Sequence, residues 1–198
     1  MLKLYDSSGA FLRMLPDTDY TDLTVVSTLQ DGDKELSFTY LGKPSTIRNE
    51  YYIETDSDRY TVKEIHPGDH GTQIVCKLNL EDLEQEIYQI FTAQDVTAAA
   101  AAALALTGTG WTVSSTLTKQ RSVQCIKKTP LEILYKIRDA FMCEIYFDTA
   151  QKVVTLADQL GQDRGVYPGT VVLRRLAGGE DGQDHQSRSG GQGQKIAN

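Results

Sequence analysis

The stretch from Glu50 to Gln85 constrains the fold more than any other part of the chain. Tyr51 and Ile53, then Tyr60, Val62 and Ile65, are apolar, with Glu54, Arg59, Lys63 and Glu64 between them. Successive side chains of a strand point to opposite faces, so this alternation fits strands with one face buried. Asp56-Ser57-Asp58 supplies turn chemistry after the first strand, and Pro67-Gly68-Asp69-His70-Gly71 supplies it after the second. A three-stranded antiparallel meander follows.

The residues before the meander extend the pattern. Leu2 and Leu4 flank Lys3, and Asp6-Ser7-Ser8-Gly9 turns the chain into Phe11-Leu12-Arg13-Met14-Leu15. Pro16-Asp17-Thr18-Asp19 breaks it again. Leu23 to Leu29 is rich in β-branched residues, and an Asp31-Gly32 turn leads to the clean alternation of Leu36, Phe38 and Tyr40. This gives about seven strands in the first eighty residues, spaced as in a small barrel or sandwich.

The character changes after Leu80. The charged run Glu81 to Glu86 leads to two expected helices. The first has Thr92 as N-cap, Asp95 in its first turn, an alanine run from Ala98 to Ala103 and Gly108 as its stop, about a dozen residues. A helix that short is marginal alone, so its small face must dock on a sheet or a second helix. The second helix opens on Thr129-Pro130-Leu131-Glu132, where a cap hydroxyl, a proline and a third-position glutamate agree. Ile133, Leu134, Ile137 and Phe141 share one face. Strands are expected at Trp111–Ser114 and Ser122–Ile126, and a hairpin joins Cys143–Asp148 to Lys152–Leu156 across Thr149-Ala150-Gln151. Val166-Tyr167 and Val171–Leu173 read as further strand fragments. The segment from 92 to 158 is thus a compact α+β unit.

The 198 residues carry a net charge of -7 without a basic block, which excludes a protein built to grip the phosphate backbone. Cys76, Cys125 and Cys143 lie far apart in apolar runs, as buried reduced thiols rather than a disulfide framework. No secretion signal opens the chain, and the apolar run near Ala98–Leu106 is too short to span a bilayer.

Several groups invite a chemical reading. His66, Asp69 and His70, with Cys76 more distant, resemble metal ligands, but the spacing matches no zinc pattern. Asp17, Asp19 and Asp22, and separately Asp31 and Asp33, lack the rest of a calcium loop and read better as Asx turns. Glu144 and Asp148 project to one face of a strand, as a glycosidase pair might be imagined to, yet they fit the outer side of an alternating hairpin. None of the cysteines stands in a nucleophile context with a histidine. Gly108-Thr109-Gly110 lacks the third glycine of a dinucleotide loop and reads as a helix stop. The sequence assigns no catalytic, cofactor-binding or metal residue.

Taken in order, Glu50–Ile53, Arg59–Ile65, Val75–Leu83, Gly108–Val113, and Leu131–Asp139 with Cys143–Asp148 resemble the N-terminal region of siphophage tail-associated lysins and prophage endopeptidase-tail proteins, a family of phage minor structural proteins. The resemblance covers about residues 1 to 176. It implies similarity to the baseplate hub of contractile-tailed phages, a trimer that continues the tail tube. The fold it implies is mainly β with an α+β module: a tube-type β-barrel domain over 1–90 and a two-helix α+β module with the start of return strands over 91–176; the composition of 177–198 instead reads as a disordered or aberrant tail. It further implies a homotrimer at the virion tail tip, made in the bacterial host cytoplasm. Its partners would be adjacent tail proteins, with DNA passing the lumen unread and no membrane insertion. The lytic activity of the family belongs to a C-terminal region beyond such residues, so an enzyme is not expected. A peptidoglycan hydrolase or a cell-wall binding module is the alternative.

After Leu176 a Gly/Gln/Asp/Ser tract replaces the alternating strands that relatives continue into. A frameshift or truncation in a prophage remnant is the expected cause. Translating the encoding DNA past that codon in the other two frames should restore alternating apolar strands in one of them; if neither frame does so, the expectation fails.

Overall fold

The computed structural model describes residues 1–28 and 32–158, and for the backbone alone 172–175. Seven strands come first: β1 (Leu2–Tyr5), β2 (Phe11–Leu15), β3 (Tyr20–Ser27), β4 (Lys34–Tyr40), β5 (Tyr52–Glu54), β6 (Arg59–Gly68) and β7 (Gly71–Leu78). A 3₁₀ turn at Glu81–Leu83 follows. Next come β8 (Tyr88–Thr97), α1 (Ala98–Ala105), β9 (Thr112–Ser115), β10 (Gln120–Lys128) and α2 (Pro130–Phe141). The hairpin β11 (Glu144–Asp148) and β12 (Val153–Ala157) is next, and β13 (Val172–Arg175) is last.

Among the described residues these strands form three sheets. The first is antiparallel, in the order β13-β3-β4-β7-β6-β5-β1-β2. The meander from β5 to β7 is at its centre, as its alternation requires. Along β4, Lys34, Leu36, Phe38 and Tyr40 are buried and the residues between them are half-exposed. Thr72, Ile74, Cys76 and Leu78 of β7 do the same. The expected five-residue turn between β6 and β7 is tighter. Pro67 and Gly68 continue the ladder, opposite Thr72 and Gly71, and leave a two-residue turn at Asp69-His70. Gly71 has φ +144°, and a Cβ there would stand 2.9 Å from the Tyr40 carbonyl oxygen, so the close approach of β4 requires glycine.

The mainly β class expected from the sequence holds, with two helices among the described residues. The ladder, however, is open: β13 and β2 are its two edges and do not pair with each other. Phe11, Leu12, Arg13 and Met14 of β2 all face solvent and only Leu15 is buried, so this strand has no neighbour on its outer side. Val166-Tyr167 and the 177–198 tail lie outside the described residues.

The second sheet is the two-stranded ribbon of β8 and β10, and the third has the order β11-β12-β9, with β9 parallel to β12. The first helix starts later than expected. Thr92 is not a cap but a strand residue opposite Gln124, because β8 continues to Thr97. Thr97 is the cap, its hydroxyl accepting from the Ala100 amide, and Asp95 belongs to the strand. The helix is eight residues long, and Ala98, Ala101, Ala102 and Ala105 are fully buried where it meets α2, β8 and β9. The close docking expected of an alanine face is therefore present.

The second helix begins as its sequence demands. Thr129 Oγ1 accepts from the Glu132 amide and the Glu132 carboxylate accepts from the Thr129 amide. Lys128 first, then that amide, holds the Glu132 carboxyl below its ordinary range. The end was not legible: Met142 caps the helix in the left-handed region, φ 53° and ψ 50°, with its side chain 71% exposed.

The first sheet and the α+β part are fastened by a buried polar node. Lys34 Nζ donates to Asp58 Oδ2 at 2.7 Å and to the Phe147 carbonyl at 3.0 Å, and both ionic side chains are only 5% exposed. The ammonium lies 3.9 Å above the Tyr146 ring. Thr149 Oγ1 accepts from the Arg59 amide at 2.6 Å. Gly32 adds a close contact, since a Cβ there would meet the Ile145 carbonyl oxygen at 2.8 Å. Around this joint the buried apolar side chains of both parts form one cluster, with Trp111 and Tyr135 edge-on to Phe147.

Two outcomes follow. Asp58→Leu leaves Lys34 buried without its counter-ion and should cost about 3–5 kcal/mol in urea denaturation. The double change Lys34→Met, Asp58→Leu should cost less than Asp58→Leu alone. Met142→Gly removes left-handed strain from an exposed position and should stabilise by about 1 kcal/mol; a loss of stability would show that the Met142 side chain holds the helix end.

Candidate functional site

The residues that invited metal chemistry are held apart or spent on turns. His66 and His70 are exposed at the tip of the β6–β7 hairpin, and His66 Nε2 lies 2.9 Å from Glu64 Oε2. Cys76 is fully buried on β7, and burial pushes its thiol up. Asp17 accepts from the Tyr20 hydroxyl and faces the N-terminal amine, which together hold its carboxyl low. Asp19 pairs with Arg13, and Asp22 sits at the bulge of β3 with φ 55°. The Asp33 carbonyl closes the β3–β4 turn by accepting from Thr28; Asp31 lies outside the described residues. Among the described residues no three His, Cys, Asp or Glu side chains gather as a metal would need.

Glu144 and Asp148 stand at opposite ends of β11, both half-exposed. Asp148 Oδ1 accepts from the Gln151 amide at 2.8 Å and so shapes the hairpin turn. All three cysteines are free. Cys76 and Cys143 are buried as expected, whereas Cys125 is half-buried at the ribbon, and desolvation raises all three thiols. A raised thiol carries little thiolate at neutral pH, which is the reverse of what a nucleophile needs. Gly108 and Gly110, φ 85° and 76°, turn the chain after α1 and act as the helix stop that the sequence indicated.

Asp58 is the polar residue whose importance sequence reasoning missed. It is a turn residue, as expected, with its carbonyl accepting from the Thr55 amide. Its carboxylate is also buried, beside the Ser57 and Tyr60 hydroxyls. Burial first, then the Asp58 charge, pushes the Tyr60 phenol up and keeps it a neutral donor. Arg59 next to it stacks on Tyr5 and Tyr52, 5.0 Å and 4.4 Å from the ring centres.

What the structure presents to the outside is open sheet. On the β2 edge, Phe11 is 54% and Leu12 45% exposed. On the ribbon, Phe91, Ala93 and Val123 are buried on the face towards the helices. The opposite face is uncovered. There Ile90 and Ile126 stand directly across from one another, 68% and 62% exposed, with Thr92 opposite Gln124 beside them. Two large apolar side chains thus stand paired in water on this strand face. Outward alternation in β8 and β10 is the signal that could have found it; reading Thr92 as a helix cap concealed it.

The family model of the prophage endopeptidase tail domain matches residues 85–156, from just before β8 to β12. Among solved structures, the chain is similar to a prophage tail protein from Listeria monocytogenes EGD-e. The identity is 11%, the match covers 79% of this chain and 50% of that one, and the TM-score is 0.55. It is also similar to a tail protein from Neisseria meningitidis MC58, at 8% identity over 78% of this chain and 49% of that one, with a TM-score of 0.53. At such identities the likeness is one of fold. The chain spans about half the length of the solved structures it matches. No protein of curated function matches it. Residues 85–156 thus match the prophage endopeptidase tail domain, and the chain's fold is similar to that of prophage tail proteins.

Proposed function

We propose that the chain is a structural protein of a prophage tail that works by assembly, as a hub-like piece between tail tube and tail tip. One observation carries the reading: the residues of the family match include the ribbon whose strand edges and Ile90–Ile126 face are left in water. An unpaired edge is a template for another chain, and an exposed apolar pair gains free energy when covered. The minor-structural-protein reading gives three copies in a ring, with adjacent tail proteins above and below. The ring sits at the virion tail tip after synthesis in the host cytoplasm. DNA passes through it without specific contacts, which suits an acidic chain.

Catalysis is not part of this function. The family has endopeptidase in its name, and we assign any peptidoglycan cleavage to regions of longer relatives outside the matched fold.

Light scattering coupled to size exclusion on the full chain should give a trimer; a monomer at every concentration would remove the assembly reading. Zymography on bacterial cell walls should show no clearing. Clearing that disappears in Glu144→Gln or a cysteine variant would transfer the function to hydrolysis. Wall binding without clearing would point to a host-surface module.

A further inference from the structure

We propose that the subunit interface is the β8–β10 ribbon itself, the free edge of β8 in one copy pairing with the free edge of β10 in the next, head to tail. The inference rests on the assembly reading above and adds the surface and the orientation.

Among the described residues, β8 and β10 pair with each other alone, so each keeps one edge without a strand. The helices pack against the ribbon on the face that buries Phe91, Ala93 and Val123. Left-handed backbone at Asp95, φ 47°, and at Lys127, φ 52°, brackets the regular stretch available for a further ladder.

Acidic residues stand before and near the end of β8, and basic residues stand before and along β10. Glu84 and Glu86 are exposed where the chain enters β8, and Asp95 lies near its end. Lys119, Arg121 and Lys127 are exposed along and before β10. None of these six forms an ion pair among the described residues. Asp95 takes the Ser122 hydroxyl instead of a cation.

Charge and direction together select one arrangement. Within a copy, Tyr88 is opposite Lys128 and Thr97 opposite Gln120. The Glu86 end of β8 is therefore level with the Lys127 end of β10. Rotation about an axis along the ribbon keeps those levels. It sets Glu84 and Glu86 beside Lys127 of the next copy, and Asp95 beside its Arg121 and Lys119. A two-fold pairing fails the same test. β8 against β8 brings Glu86 towards Asp95, and β10 against β10 brings Lys127 towards Arg121, like charge facing like charge. Heterologous contacts of this kind form a ring when the rotation between copies closes, as the assembly reading requires. Ile90 of one copy then neighbours Ile126 of the next, and the isolated apolar pair becomes a continuous belt.

Charge reversal on the full chain tests this, with far-UV circular dichroism to verify folding. Glu86→Lys and Lys127→Glu should each raise the dissociation constant of the oligomer by about tenfold or more, since like charges then meet across the junction. The double variant should return it to near the wild-type value. If either single variant is poorly folded, Asp95→Lys with Arg121→Glu replaces the pair. Oligomers indifferent to both reversals, or a double variant no better than the singles, would overturn the ribbon interface and leave assembly standing. A wild-type chain that never associates would overturn both.

Discussion

The Lys34–Asp58 pair is the constraint on which the arrangement of this molecule depends. Two charges almost without solvent are tolerable only when each has a partner and the remaining donors are used. Here the third element supplies what the pair lacks, because the Phe147 carbonyl takes a second Lys34 hydrogen bond and the Tyr146 ring lies under the ammonium. The first sheet is thus incompletely satisfied until the β11–β12 hairpin arrives. Lys152 on the same hairpin reaches Asp82, a second and more exposed fastening. The polar joint fixes orientation, while the shared apolar cluster around Phe147 supplies most of the driving force.

Most of the local structure was legible in the sequence. Clean alternation identified β4, and the Thr129–Glu132 capping box located the start of α2 to the residue. Errors arose where two local signals competed. Thr92 and Thr97 are both plausible caps, and only the pairing of Thr92 with Gln124 decides between them. Met142 ended a helix with no glycine to announce it. The parallel pairing of β9 with β12 and the burial of Asp58 depend on residues distant in sequence, and no window of the chain contains that information. Barrel closure was likewise a matter of topology, and the open ladder corrects it.

The exposed ribbon was concealed for a related reason. Sequence reading searched for convergent polar groups and found turn residues and hairpin faces. The surface that stands out is apolar, a strand ribbon with one face uncovered among the described residues. Such a feature has no motif, and it emerges only when burial shows which of the alternating side chains find a core. The ribbon also differs from the β2 edge in having acids before and near the end of β8 and bases before and along β10.

The long reach of the polar joint bears on how the chain is made. Lys34 waits for a carbonyl 113 residues later, and β3 receives β13 as its outer neighbour only near the end of the chain. While the ribosome is still synthesising α2, the nascent first sheet holds an ammonium and a carboxylate without their third partner and a bare edge on β3. Contacts so distant in sequence slow folding, because loop closure precedes their reward. The interval between emergence of β4 and of β11 is therefore the period when the first sheet lacks the carbonyl that completes its buried ion pair.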